Sequence, residues 1–66
     1  MRMMEDDIVD YAKPTMMAER ALLEMHRAAL ARDYGRAIEL SMAAAKWCGL
    51  AMSALVVMKA DEDARV

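Results

Sequence analysis

The chain is predicted to be all-α: an antiparallel two-helix hairpin that assembles into a homo-oligomeric helical bundle. Three observations carry this. Its apolar content comes from Ala and nine Met, both good helix formers, while Phe is absent and aromatic residues make up 5%. Two Gly and one Pro leave little material for turns. With 66 residues, a single domain buries only about 60% of the surface that its unfolded chain exposes. One Cys excludes an internal disulfide and one His argues against a zinc site, so association is the remaining way to reinforce a small core.

The elements follow in order within a single domain, 1–66. Residues 1–10 form an acidic leader containing Glu5, Asp6 and Asp7. Asp10 is a suitable N-cap, which puts Pro14 in the first turn where a missing N–H costs nothing, unless Pro14 itself opens the helix. The first helix is expected over 11–32. The turn is Ala31 to Gly35, with Asp33 positioned to cap the second helix and Gly35 loosening the chain beside it. That second helix is expected over 34–60, roughly 40 Å at 1.5 Å per residue, and 61–66 is a charged tail. A short connection makes the two helices antiparallel neighbours.

Each helix carries two apolar stripes. On the first, Tyr11, Ala18, Leu22, Met25 and Ala29 form one, and Met16, Leu23 and Leu30, seven apart, form another. Arg20, Glu24 and Arg27 occupy much of the remainder, with Glu24 and Arg27 spaced to pair. On the second helix, Tyr34, Ile38, Met42, Ala45, Gly49, Met52 and Val56 form a continuous seam; Leu40, Trp47, Ala54 and Met58 form a second, with Ala43, Leu50 and Ala51 nearby. Lys46 is the only charge between Leu40 and Met58. A hairpin consumes one stripe per helix, and the others call for a partner. If each chain leaves about 500 Å² of apolar surface open, that is more than soluble monomers usually carry.

The oligomer interface is expected at Ala45, Trp47, Gly49, Met52, Ser53 and Val56. Ser41, Ala45, Gly49 and Ser53 recur every fourth residue; this row either receives long side chains of the first helix or forms a close crossing of two second helices. Trp47 is expected in the packed core or at a binding hot spot, and Cys48 as a small buried apolar group. A surface for another protein is expected on the first helix at Met16, Met17, Arg20, Glu24 and Arg27, where adaptable Met sits beside charge.

The net charge of −2 provides no basic footprint for nucleic acid. The acidic start lacks the positive and apolar regions of a signal peptide, and a lone Cys fits a reducing cytoplasm, so the expected location is cytoplasmic. No catalytic set, metal set or cofactor motif is present: His26 has Glu19 on its face but no nucleophile placed nearby by sequence. The expected function is that of a non-enzymatic protein–protein interaction module that inhibits or regulates another protein. One alternative is an oligomer sequestering a small anionic signalling ligand at subunit junctions, held by Tyr11, Lys13, Arg20 and Arg27. The other is a small membrane protein, because 40–58 is long enough to span, although Ala, Ser, Gly and Lys46 make it weakly hydrophobic.

Two resemblances bear on this. Asp33-Tyr34-Gly35-Arg36-Ala37-Ile38, followed by Ala44, resembles the second half of a tetratricopeptide repeat, with its Gly-Asp-Tyr-x-x-Ala-Ile turn and later Ala. The likeness covers Asp33 to Ala44; Arg32 stands where that family has Gly, and the first helix lacks the family's Trp, Gly and Tyr pattern. One copy cannot build a solenoid, so the likeness implies shared hairpin chemistry. The length, acidic ends and hairpin layout, with Tyr34 to Ile38 matching a Tyr-x-x-Ala-Leu helix start, also resemble small phage-encoded host-takeover proteins of the quorum-sensing anti-activator type. That resemblance implies a dimeric helical hairpin, forming a four-helix bundle, that binds and disables a bacterial protein.

Overall fold

A computed structural model describes residues 10–65; the acidic leader through residue 9, with Glu5, Asp6 and Asp7, and Val66 lie outside the described residues. Two helices account for nearly all of it, α1 over Ala12–Leu30 and α2 over Tyr34–Ala64, and no strand occurs among the described residues. The protein is an all-helical hairpin. It is long and flat, 50 × 20 × 12 Å, and its radius of gyration of 15.8 Å compares with about 11 Å for a compact domain of this length.

α1 begins through Asp10 and Tyr11 together. Asp10 Oδ1 accepts the Ala12 N–H at 2.9 Å, the Tyr11 carbonyl accepts the Thr15 N–H at 3.1 Å, and the Thr15 hydroxyl donates to that same carbonyl at 2.8 Å. Pro14 lies in the first turn, where the backbone N–H groups have no intrahelical acceptor, so its ring breaks no hydrogen bond.

The turn is built by Ala31, Arg32 and Asp33. The Asp33 N–H reaches back to the Ala28 carbonyl at 2.8 Å and the Arg32 N–H to the Ala29 carbonyl at 3.0 Å, the paired bonds of a Schellman closure. This closure requires a left-handed residue at its corner, and Arg32 fills that place with φ of 64°. It is the position at which the tetratricopeptide pattern has Gly. A side chain there costs about 1 kcal/mol, which Gly would not incur. Arg32→Gly is therefore expected to stabilise the hairpin by about 1 kcal/mol, read as a urea midpoint raised by about 0.5–1 M at fixed protein concentration with an unchanged slope. An unchanged or lower midpoint would show that the corner carries no such cost. Asp33 then caps α2 as expected, its carboxylate accepting the Arg36 N–H at 3.3 Å. Gly35 lies inside α2 with no positive φ, so it does not loosen the turn.

α2 continues beyond the expected end near Ala60. The charged segment is helical to Ala64, laced by Lys59–Asp63 at 2.7 Å and Asp61–Arg65 at 3.0 Å, both four residues apart. Such exposed pairs add only a few tenths of a kcal/mol each, and Asp61, Glu62 and Asp63 face the negative end of the helix dipole, so this terminus gains little support from its charges.

The helices meet along alanine. Ala18, Ala21 and Ala28 of α1 and Ala37, Ala44, Ala51 and Ala54 of α2 are the buried residues, none more than 8% exposed. Heptad spacing joins Ala21 to Ala28, and Ala37 to Ala44 and Ala51. In an antiparallel hairpin closed at Arg32, Ala28 comes level with Ala37 and Ala21 with Ala44. Methyl-sized groups on both sides let the backbones approach closely. The contact line of α1 runs through Ala18, Ala21 and Ala28; of the first stripe Ala18 lies in it, while Leu22 lies at its margin, 44% exposed.

Candidate interaction surface

With alanine filling the seam, the large apolar side chains stand half-buried at its margins, as Met17, Met25, Leu40 and Trp47 do, or outside it. No side chain larger than alanine is buried among the described residues. Three surfaces result.

The first is the outer side of α1. Met16, Arg20, Leu23, Arg27 and Leu30 are spaced by four, three, four and three, which places them in one line along the helix. Met16 is 65% exposed and Leu30 72%. Arginine alternates with apolar groups along the whole length. Of the residues expected to bind a partner, Met16, Arg20 and Arg27 belong to this line; Met17 and Glu24 lie beside it, toward α2. Leu23 and Leu30, expected only as members of an apolar stripe, join it; their spacing from Met16 is the signal.

The second surface flanks the first. Met17, Arg20, Ala21 and Glu24 of α1 meet Leu40 and Trp47 of α2 around a shallow hollow. Trp47 is thus half-buried against α1 and does not lie on the outward seam of α2. Glu24 is the electrostatic link between the helices: its carboxylate lies 3.4 Å from Arg20 Nε and 4.0 Å from Arg36 of α2. It takes these partners in place of the expected Arg27. Arg27 and Arg36 line a second hollow at the loop end together with Glu24 and Asp33, whose carboxylates offset the arginine charge.

The third surface is the outward face of α2. Ile38, Met42, Met52 and Val56 are 59–67% exposed, with Ala45 and the open backbone of Gly49 between them. A Cβ added to Gly49 would meet nothing within 4 Å, so the small row does not receive side chains of α1. Ser53, expected on this interface, lies around the helix from Met52 and Val56. Beside the seam, Thr15, Ala18, Leu22, Cys48, Ala51 and Leu55 line an almost wholly apolar groove between the helices. Cys48 is exposed there, contrary to the expectation of a buried thiol.

His26 is exposed, and no group of three or more His, Cys, Asp and Glu side chains converges among the described residues. Tyr11 lies around α1 from Lys13, Arg20 and Arg27, on the side of Thr15, so one chain does not bring the four residues of the expected anion site together. α2 contains a window of mean hydropathy 1.6, long and apolar enough by composition to cross a membrane. No family model matches the chain, and no known protein compared by sequence and no solved structure compared by fold matches it.

Proposed function

We propose that this chain is a non-enzymatic protein–protein interaction module that regulates or inhibits another protein, in the cytoplasm, through the outer side of α1. The observation that carries the reading is the exposed line Met16, Arg20, Leu23, Arg27 and Leu30. The pattern of large apolar groups alternating with arginine suits a helix laid into an apolar groove with an acidic rim. Arginine with apolar neighbours is also the composition enriched where interfaces draw their affinity. Self-association into a helical bundle through α2 is part of the reading, because it covers the other apolar surface and leaves α1 outermost.

The test is Arg20→Glu combined with Arg27→Glu. Both side chains are exposed, so the helical circular dichroism and the sedimentation mass are expected to stay unchanged. Capture of a host-lysate protein by the immobilised chain is expected to fall at least tenfold, since reversing two rim charges against an acidic groove costs more than about 1.4 kcal/mol. Undiminished capture by the folded double variant would remove the arginines from the binding surface.

A further inference from the structure

We infer that a second copy of this chain covers the outward face of α2, with the two α2 helices antiparallel and crossing at residue 47. This deepens the self-association proposed above and rests on it. The seam residues alternate by four and three: Ile38, Met42, Ala45, Gly49, Met52 and Val56. An antiparallel pairing about position 47 brings Ile38 level with Val56 of the second copy, Met42 with its Met52, and Ala45 with its Gly49. Bulky groups then meet at both ends and the smallest meet in the middle, where two crossing helices come closest.

Charge selects this direction over the parallel one. At the loop end, Glu24, Asp33 and Glu39 match Arg27, Arg32 and Arg36; at the far end, Asp61, Glu62 and Asp63 outnumber Lys59 and Arg65. Antiparallel pairing keeps the two acidic ends apart and opposes the α2 dipoles, whereas parallel pairing sets acidic end against acidic end. Area is adequate as well. Four large side chains exposed to about three-fifths, with half-exposed Leu22 and Leu55 in the adjoining groove, offer on the order of 500 Å² per chain and so about 1,000 Å² per pair. This reaches the lower bound for a specific interface. The patch on each chain lies toward the upper end of the roughly 300–600 Å² that a monomer's largest open apolar patch reaches.

Sedimentation of the whole chain, followed by cysteine cross-linking in a Cys48→Ser background, tests this. The expected mass is twice the 7.4 kDa of the chain. Mixed Ile38→Cys and Val56→Cys chains are expected to form a covalent dimer on mild oxidation on the order of tenfold more readily than either alone, because antiparallel pairing keeps two copies of position 38 about 27 Å apart. Met42→Cys mixed with Met52→Cys repeats the test one layer inward, should the outer pair fail to fold. A chain that stays at 7.4 kDa, or that leaves water unless detergent is present, overturns self-association through this face. A dimer whose Ile38→Cys chains cross-link to themselves, or that cross-links through neither pair, overturns the antiparallel register while self-association stands.

Discussion

Ala44→Leu is expected to lower the melting temperature by about 10–20 °C, the larger of the effects reachable within a single hairpin. Ala44 is the most buried residue described, 3% exposed, and it lies in the middle of the alanine line of α2. In an antiparallel hairpin it comes level with Ala21. An isobutyl group there has no void to enter, because the two helices are drawn together by methyl groups on both sides. Overpacking alone costs about 1–3 kcal/mol. The larger loss comes from separation of the helices: held apart at Ala44, they also lose contact at Ala37 and Ala51, and no larger buried side chain compensates. A chain of this length has only about 3–10 kcal/mol of stability in all. Ala60→Leu is the control, because Ala60 is exposed near the end of α2 and the same added volume meets no packed neighbour; it is expected to change stability by less than about 0.5 kcal/mol. Thermal melts of the two variants at equal concentration decide the matter. An Ala44→Leu melt within a few degrees of the parent would mean that the helices are not packed through this line.

That dependence on alanine explains why the two helices are legible in the sequence and their mutual orientation is not. The helices and the turn are local matters. Asp33 announces a cap, Pro14 a first turn, and apolar residues at spacings of three and four a helix, and all three appear in the structure where the sequence puts them. Which stripe faces the other helix is a matter of distance between backbones. Reading by hydrophobicity favours Leu, Met and Tyr, and so builds its stripes around Leu22, Leu23 and Leu30, all of which stand exposed. The close approach instead rewards the smallest apolar residue at heptad intervals, which Ala21, Ala28, Ala37, Ala44 and Ala51 supply. α2 gives little directional signal of its own, because apolar residues ring it nearly evenly from Leu40 to Met58. The same cause underlies the outward seam. Once alanine forms the contact, Ile38, Met42, Met52 and Val56 have no place inside one hairpin, and Cys48 moves to the surface beside them. The helical continuation to Ala64 escapes a sequence reading because a run of charge looks like solvated coil, although the spacings of Lys59 to Asp63 and Asp61 to Arg65 already fit a helix. At Arg32, comparison with the tetratricopeptide turn marks the departure from Gly, and only the backbone reveals its consequence, a left-handed corner occupied by a large side chain.

The seam of α2 gives the other large effect, and it can be arranged so that loss and recovery are both read. Met42→Lys alone, or Met52→Glu alone, is expected to weaken self-association at least about 100-fold, close to 2.7 kcal/mol. Each sets a charge against methionine at two symmetry-related places in the pair, and a charge desolvated without a partner costs several kcal/mol. Both positions are more than three-fifths exposed in the single hairpin, so neither substitution disturbs the alanine contact with α1. Mixing the two variants should restore the dimer. In the antiparallel register the new ammonium of one chain meets the new carboxylate of the other, and the second crossing returns to Met52 against Met42. In a parallel register each new charge faces the unaltered methionine of the partner chain, and mixing recovers nothing. Salt provides the last discrimination: the restored dimer should weaken as ionic strength rises through the range in which the screening length falls from about 10 Å to about 3 Å, more steeply than the parent, whose seam is apolar. Sedimentation of each variant and of the equimolar mixture, at low and high salt, separates these outcomes. Dimers that survive Met42→Lys unaltered would mean that this face of α2 is not where two copies meet.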